Sequence, residues 1–410
     1  REAFERGTSV YVADRVVPML PERLSNGICS LNPRVNRLTQ SCVMEITPEG
    51  KVLQSQIGPS IIKTTERMTY DDVNLMLAGN EEALEKYAAI KESVEIMSEL
   101  HEALAAMRRR RGAIDFETME ARIIVDENGL PIEIRKRSRG TAERMIESFM
   151  LIANETVASS FETRHLPGIY RIHEHPKEEK MTRFIDFAAT FGLQVKGTST
   201  EVSQKALQEF LKKVKGQPGE MVLSTMLLRS MQQARYSEDN YGHFGLAAEN
   251  YTHFTSPIRR YPDLIVNRLL HLYPKDHSNR TKEEWKERLP EIAKQSSDME
   301  HRAVVTERIV DAMKKAEYMQ DHIGEVYTAT VTGVQKFGLF MELENTVQGL
   351  IRTVNLHTGV EEAIEFDEEE DIFKGKKSEK TYRMGDVLKI RVISANKRKG
   401  TVDFEEIIEE

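Results

Sequence analysis

One short segment, residues 243–261, carries most of the side chains that could bind a ligand or act on it. It reads HFGLAAENYTHFTSPIRRY and combines histidines, aromatic rings and hydroxyl groups with two adjacent arginines, without the apolar spacing of a core element. Pro257 and Pro262 each disfavour helical backbone in the residue before them. We therefore predict a turn from Ser256 to Tyr261 and a helix that begins at Pro262.

Arg259 and Arg260 lie in this turn and would stand beside the amino-terminal end of the helix. A helix N-terminus carries partial positive charge and free N–H groups, and a guanidinium group binds phosphate oxygens in a two-pronged fork. The predicted ligand is therefore a phosphate. The alternative is that both arginines are solvated surface residues, as many arginines are.

The sequence TSPIRRY, from Thr255 to Tyr261, strongly resembles the signature of the RNase II/RNase R family of exoribonucleases. The resemblance implies that this segment belongs to a catalytic domain in which Arg259 holds the phosphate of the terminal nucleotides. Arg260 would then contact the RNA beside it. The resemblance extends over nearly the whole chain.

Two acidic residues gain a role only from the resemblance. Glu147 corresponds to a residue that hydrogen-bonds the substrate, and Glu307 to the first member of a glutamate–arginine pair that the resemblance places on the RNA. Without the resemblance, Glu147 would belong to a solvated polar stripe with Glu143 and Asn154, which lie on the same side of a helix. Glu307 and Arg308 would be an ordinary pair on a helix surface.

Three aromatic residues fall where the family contacts or stacks the last nucleotides. Tyr11 and Tyr70 match tyrosines that contact or stack the last nucleotides of the RNA, and Phe116 lies near an aromatic that clamps the bases. Each stack would contribute about 1 to 3 kcal/mol whatever the base. Taken alone, each of these rings would be assigned to the hydrophobic core.

The resemblance also implies that a metal-activated water attacks the terminal phosphodiester, with Mg²⁺ generating the nucleophile and neutralising the transition state. In the family, the aspartates that bind Mg²⁺ and the cold-shock RNA-binding domains precede the position of Arg1, so we expect these ligands mainly upstream. Within the sequence, Asp71 and Asp72 suit the first turn of a helix. His173 and His175 lack a third ligand, so we predict no metal site here.

Bulk composition indicates a globular protein without a membrane span. The chain has 410 residues, 30% charged and 40% hydrophobic, and no apolar run approaches the ~20 residues that cross a bilayer. Its two cysteines favour a reducing compartment, and we expect a cytoplasmic monomer. A net charge of −8 still permits a basic channel lined by local clusters.

Periodicity predicts short strands and turns over residues 1–65 and then a mainly helical region. Asn-Gly at 128–129 predicts a hairpin. The predicted helices are a short one capped by Thr69, then 81–111, 141–161, two within 177–215, 219–233, one after Pro262, 282–286 and 290–322.

Arg108 to Arg111 close the second of these helices before Gly112. Four arginines in a row could bind nucleic acid. They also suit the negative end of the helix dipole and the glycine cap, and we favour this structural interpretation while the nucleic-acid patch remains the alternative.

The period changes at Gly324, after which short alternating segments predict a small β-barrel. The barrel resembles an S1 domain, an OB-fold that binds single-stranded RNA, with Phe337 and Phe340 placed like its base-stacking aromatics. Many S1 domains have histidine where Arg352 stands. The acidic run 365–371 is predicted to be a loop away from RNA, and the lysines of 374–380 and 397–399 are predicted to meet phosphates.

The predicted fold class is α+β. Residues 1–322 form an RNB-type catalytic domain, with a mixed sheet and packed helices, that lacks its start, and residues 323–410 form the S1 barrel. The predicted function is metal-dependent, processive 3′-to-5′ hydrolysis of single-stranded RNA to nucleoside 5′-monophosphates. The alternatives are an RNA-binding protein or fragment that cannot cleave and, more remotely, a phosphatase or nucleotide-binding enzyme, which the absence of a Gly-rich phosphate loop disfavours.

Overall fold

The computed structural model describes residues 1–116, 120–137, 139–217, 219–360, 362–368 and 371–408. Helices dominate the first three quarters of this part of the chain, and strands dominate the last quarter. The helices are α1 (Glu2–Arg6), α2 (Tyr70–Leu77), α3 (Glu81–Lys86), α4 (Lys91–Arg111), α5 (Thr141–Thr163), α6 (Glu178–Thr190), α7 (Gln204–Val214), α8 (Glu220–Ser230), α9 (Tyr261–Leu272) and α10 (Asn279–Met319).

The strands before the barrel pair only two by two within the described residues. They are β1 (Val10–Val12) with β2 (Arg15–Val17), β3 (Asn36–Ile46) with β4 (Val52–Lys63), β5 (Glu120–Val125) with β6 (Pro131–Arg137), and β7 (Tyr170–Ile172) with β8 (Arg235–Ser237). All four pairs are antiparallel.

The α+β class is confirmed, whereas the mixed sheet predicted for this region is wrong for the described residues. Tight turns join the strands of the first three pairs, and a strand that folds back directly on its neighbour pairs antiparallel with it. At the predicted Asn-Gly turn only Gly129 has a positive φ, of 78°, because the Asp126 side chain holds the turn by accepting the backbone N–H groups of Asn128 and Leu130.

Two helix predictions are corrected. The predicted helix 81–111 breaks at Tyr87, whose hydroxyl donates to Asp72 of α2 over 2.8 Å, so the chain makes α3, a short 3₁₀ turn and α4. The two helices predicted on either side of Pro290 are one 41-residue helix, α10. Buried neighbours of Pro290, among them Leu289 and Ala293, pack this helix against the core and offset the hydrogen bond that proline removes.

Hydrophobic clusters surround α5, which lies near the middle of the helical region. Its buried residues contact α2, α3 and α4 through Ala142 and Met145, and contact β7, α9 and the start of α10 through Val157 and Phe161. A separate cluster holds α6, α7 and α8 together. No helix of the described residues is long and apolar enough to cross a membrane.

The predicted five-stranded barrel is confirmed. It closes in the order β10 (Gly338–Leu343), β11 (Gln348–Arg352), β16 (Thr401–Glu406), β15 (Val387–Asn396) and β9 (Val326–Gln335). Its core continues into Ala316 and Met319 of α10 and Ile134 of β6, so one hydrophobic cluster crosses the predicted domain boundary at residue 322.

The acidic run predicted to be a loop is partly a strand. A three-stranded sheet joins β12 (Ile364–Asp367), β13 (Ile372–Gly375) and β14 (Thr381–Tyr382), while residues 369 and 370 lie outside the described part. Across this sheet Lys374 contacts Asp367 at 3.0 Å, and Lys376 contacts Glu365. Lys374 and Lys376 therefore form ion pairs with carboxylates of the acidic run instead of remaining available to bind phosphates.

Candidate functional site

The bend before α9 forms as the two prolines predict. The Ser256 carbonyl accepts the backbone N–H groups of Arg259 and Arg260 over 3.2 and 3.1 Å. Helix α9 begins at Tyr261, one residue earlier than predicted, with Pro262 in its first turn and Arg260 as its N-cap. The backbone therefore turns sharply at the two arginines.

The two arginine side chains have different surroundings. The Arg260 guanidinium lies 2.7 Å from Asp263 Oδ1, and the Asp263 side chain is fully buried. The same carboxylate oxygen accepts the Ser256 N–H over 2.7 Å. Among the described residues the Arg259 guanidinium makes no hydrogen bond or ion pair, so Arg259 is the member of the pair that remains available to a phosphate.

The amino-terminal segment holds the bend from the other side. The Arg259 carbonyl accepts the N–H of Ser9 over 2.9 Å and the hydroxyl of Thr8 over 3.0 Å. Two residues further, the N–H of Tyr11 donates to Glu307 Oε1 of α10 over 2.7 Å, and the Tyr11 side chain stays about half exposed. Three of the predicted site residues, Arg259, Tyr11 and Glu307, are thus joined through one short strand segment.

Helix α5 links Glu147 to the bend. Asn154 is buried, donates to the Tyr251 hydroxyl over 3.1 Å and accepts the Phe254 N–H over 2.9 Å. The interpretation of Asn154 as part of a solvated stripe is therefore wrong. Glu147 lies two helical turns earlier, about 10 Å along the axis, with 47% of its side chain exposed and Arg139 3.9 Å away.

Tyr70 opens α2 and is about half exposed at a cleft of about 430 Å³. The predicted N-cap is confirmed, since the Thr69 hydroxyl accepts the Asp72 N–H over 3.1 Å. The lining of the cleft also includes Ile146 of α5, the residue before Glu147. Tyr70 and Glu147 therefore lie on two helices that pack against each other.

Phe116 is partly buried against the cluster formed by α6, α7 and α8. The adjacent Ile114 N–H donates to the Gly245 carbonyl over 2.8 Å, which attaches this segment to the predicted signature run. The Phe116 ring thus packs against the hydrophobic core, as expected when the residue is considered without the family resemblance. Its predicted contact with bases remains a prediction.

His243 and His253 of the signature run, together with His173, form an aromatic layer that sequence analysis did not identify. Ring centroids of His173 and His243 lie 5.0 Å apart, and His253 Nδ1 lies 2.8 Å from the Tyr236 hydroxyl. Burial lowers the pKa of His243 to about 3 and lowers the pKa of His253 well below its usual value. These imidazoles are therefore neutral at neutral pH, and positive charge at the site comes from arginine.

Sequence analysis also missed Asp263. A carboxylate in the first turn of a helix was visible in the sequence, but that position usually indicates compensation of the helix dipole at the surface. Its complete burial follows from the bend folding back over α9, which brings Ser256 and Arg260 onto the same carboxylate.

The barrel presents its predicted aromatic pair to solvent. Phe337 and Phe340 are 55% and 42% exposed, and their rings pack edge to face with centroids 5.9 Å apart. Exposed aromatic rings on a strand are the surfaces on which nucleic-acid bases stack. Arg352, at the position where histidine was expected, lies 3.6 Å from Asp403.

No three His, Cys, Asp or Glu side chains gather as metal ligands would anywhere in the described ranges. A complete set of protein ligands for Mg²⁺ is therefore not gathered among the described residues. The predicted magnesium stays an expectation implied by the resemblance.

Family models match two parts of the chain. The RNB domain model matches residues 1–276, and the S1 RNA binding domain model matches residues 320–405. Among curated relatives, Ribonuclease R 1 of Lactococcus lactis is 64% identical over 99% of this chain and 49% of its own length. The chain therefore spans about half the length of this relative.

Solved structures share the fold. Mycoplasma genitalium RNase R, in complex with ribose-methylated single-stranded RNA, superposes with a TM-score of 0.92 at 30% identity, over 99% of this chain and 63% of its own. Yeast Ssd1, described as a pseudonuclease, superposes with a TM-score of 0.64 at 18% identity, over 91% of this chain and 45% of its own. The second likeness concerns the fold alone.

Proposed function

The chain belongs to the RNB-domain family, and we propose that it is the RNA-holding part of a 3′-to-5′ exoribonuclease that degrades single-stranded RNA to nucleoside 5′-monophosphates. The observation that carries the proposal is the free Arg259 guanidinium on a bend whose backbone is fixed on both sides. Relatives named ribonuclease R and the match to an S1 RNA binding domain support RNA as the substrate.

In this proposal Arg259 binds the phosphate of the last internucleotide bond and stabilises the negative charge that develops during hydrolysis. A fixed guanidinium does this well because the protein need not reorganise when the charge appears. Tyr11 and Tyr70 stack the terminal nucleotides, and Glu147 accepts a hydrogen bond from the substrate. Phe116 clamps bases, while Arg260 holds the bend through Asp263.

Further features of the proposal concern the complete protein. We propose that it acts processively as a cytoplasmic monomer, that Phe337 and Phe340 bind the strand upstream of the site, and that hydrolysis requires Mg²⁺ held by residues other than those described. Both cysteines are free thiols, which supports a reducing compartment.

We expect Arg259→Ala in the full-length gene product to lower turnover of a labelled oligoribonucleotide by about 10²-fold or more, because one oxyanion-stabilising donor contributes that much. RNA affinity should stay within about threefold, since many other contacts hold the strand. Turnover is measured by gel electrophoresis with Mg²⁺, and affinity by fluorescence anisotropy in EDTA.

Arg229→Ala provides the control, because Arg229 is an exposed arginine of α8. It should change neither quantity. Normal turnover in Arg259→Ala would refute the role given to this residue.

The second candidate function is an RNA-binding protein that cannot cleave. The match to the S1 RNA binding domain and the exposed rings of Phe337 and Phe340 favour it, because both support RNA binding whether or not the chain cleaves. If the full-length product binds the oligoribonucleotide and releases no mononucleotides with Mg²⁺ present, this second function replaces the first.

A further inference from the structure

The four arginines at the end of α4 do not share one role. Arg111 forms a two-pronged ion pair with Glu155 at 2.7 and 2.8 Å and also donates to the Leu246 carbonyl. Arg110 donates to the Glu49 carbonyl over 2.6 Å. These two arginines close the helix and fasten it to its neighbours, as the structural interpretation of the run predicts.

Arg108 has a different partner. Its guanidinium donates over 3.0 Å to the hydroxyl of Ser148, a fully buried residue of α5. That hydroxyl donates its own proton to the Arg144 carbonyl over 2.9 Å, so it accepts from His101 Nδ1 at 2.8 Å as well as from Arg108. The Arg108 charge therefore meets a neutral hydroxyl rather than a carboxylate.

Arg109 follows Arg108 at the end of α4, and Arg144 lies one helical turn before Ser148 on α5. Arg109 and Arg144 are exposed, and neither side chain has a hydrogen bond or ion pair among the described residues. Burial lowers the pKa of His101, the Glu102 carboxylate 4.0 Å from the ring opposes this, and the charges of Arg108, Arg109 and Arg144 lower it further. Arg109 and Arg144 thus carry positive charges that no carboxylate pairs with among the described residues.

The cluster adjoins the proposed RNA site. Arg144 lies one helical turn before Glu147 on the same side of α5. The Glu147 carboxylate is close enough to Arg108 to raise the pKa of that guanidinium against the larger lowering by burial. An anion held by the three arginines would therefore lie next to the residue proposed to hydrogen-bond the substrate.

We propose that Arg108, Arg109 and Arg144 form a subsite for backbone phosphates of single-stranded RNA, next to Glu147. The inference rests on the proposed function for the identity of the polyanion. Guanidinium groups suit phosphodiester oxygens because each offers paired donors and a permanent charge. The buried Ser148–His101 contact holds Arg108 in place, while the two exposed arginines supply further donors for the phosphates.

The test measures the salt dependence of RNA binding by the 410-residue chain. A fluorescein-labelled oligoadenylate is titrated in EDTA at 50 to 200 mM salt, with the parent chain, with the double variant Arg109→Gln/Arg144→Gln, and with a control, Arg183→Gln/Arg229→Gln. The control removes the same charge from exposed arginines of α6 and α8. Because both cluster positions are exposed and unbonded, circular dichroism should show folded protein in all three.

Each phosphate contact on a single strand contributes about 0.7 to the slope of log affinity against log salt, so the cluster variant should lose about 1.4. Over the fourfold range of salt, the parent should then lose about sevenfold more affinity than the cluster variant. Equal slopes for the cluster variant and the parent, or an equal loss in the control, would overturn the subsite.

The outcome is separable from the proposed function. Binding in EDTA does not depend on hydrolysis, so the predicted loss of slope supports the subsite even if the full-length protein fails to cleave. Conversely, normal hydrolysis with unchanged slopes removes the subsite and leaves the function. A parent chain that binds no RNA refutes both.

Discussion

At the scale of single residues, the bend depends on one buried carboxylate. Asp263 accepts hydrogen bonds from the Ser256 N–H and the Arg260 guanidinium with the same oxygen, at 2.7 Å each. Burial raises the pKa of Asp263, and Arg260 opposes that rise. The carboxylate thus fixes the backbone on both sides of Arg259 without contacting a substrate, which makes Asp263 a positioning residue.

We expect Asp263→Asn to lower the free energy of unfolding by about 3–5 kcal/mol, because the buried Arg260 charge loses its counter-ion. Urea denaturation measures this. Adding Arg260→Gln removes the unpaired charge, so stability should partly recover, while turnover should stay low if the pair positions Arg259. Full recovery of turnover in the double variant would show that Asp263 has only a structural role.

A surface pair at a similar distance supplies the control. On α10, Lys294 Nζ lies 2.6 Å from Asp298 Oδ2, with most of both side chains exposed. Asp298→Asn should cost less than about 1 kcal/mol, since exposed ion pairs contribute little. A similar cost for both substitutions would contradict the importance given to burial.

The sequence allowed prediction of residues whose signal is local. Pro257 and Pro262 bound the bend, so the turn at Arg259 could be predicted from chain geometry alone. Asn154 could not be predicted, because its partner Tyr251 lies 97 residues away and its helical spacing resembles that of a solvated polar residue. The same holds for Arg108 to Arg111, whose different partners come from other elements.

At the scale of elements, the layer of neutral histidines makes stability depend on pH. The pKa of His243 lies at about 3 because of burial, below the usual 6.5. Between these values only the unfolded chain binds the proton. The stabilisation is therefore complete above pH 6.5 and falls as the pH falls.

We expect each such histidine to cost about 1 kcal/mol of unfolding free energy when the pH is lowered from 6.5 to 5.5. His243→Asn keeps an acceptor for the Leu246 N–H, so it should reduce this pH dependence by about that amount. Urea denaturation at the two pH values measures the difference. His277→Asn, at an exposed position, should leave the pH dependence unchanged, and an unchanged slope in His243→Asn would contradict the prediction.

Element boundaries were predictable where a cap or turn fixed them and not where tertiary contacts did. Thr69 and Gly112 mark helix ends in the sequence, and both ends occur as predicted. The break at Tyr87 arises from its hydrogen bond to Asp72, and the unbroken helix through Pro290 arises from burial of the neighbouring residues. Neither cause is visible in local spacing.

At the scale of the whole molecule, the barrel is fastened to the helical region. Met319 of α10 is fully buried among barrel residues, and Lys315 donates to the Thr346 carbonyl over 2.9 Å. Lys397, predicted to meet phosphates, instead contacts Glu317 of the same helix. The match to an S1 domain begins at residue 320, so the sequence indicated the barrel but not the shared core.

We expect the barrel and the helical region to unfold together. Met319→Ala should lower the free energy of that single transition by about 2–5 kcal/mol, because it leaves a cavity between the two parts. Differential scanning calorimetry measures both quantities. Ile323→Ala, at a half-exposed position nearby, should have a much smaller effect, and two separate transitions in the parent chain would contradict the shared core.

Helix α10 contacts Tyr11 through Glu307 and enters the barrel at Met319, twelve residues later and about 18 Å along its axis. The helix therefore fixes the distance between the two proposed RNA-binding sites, the bend and the barrel. Under the proposed 3′-to-5′ hydrolysis, an RNA strand held at both sites must bridge this fixed gap, so a shortened strand would leave the barrel while its 3′ end still occupies the bend. Fragment length would then decide how long a substrate stays attached.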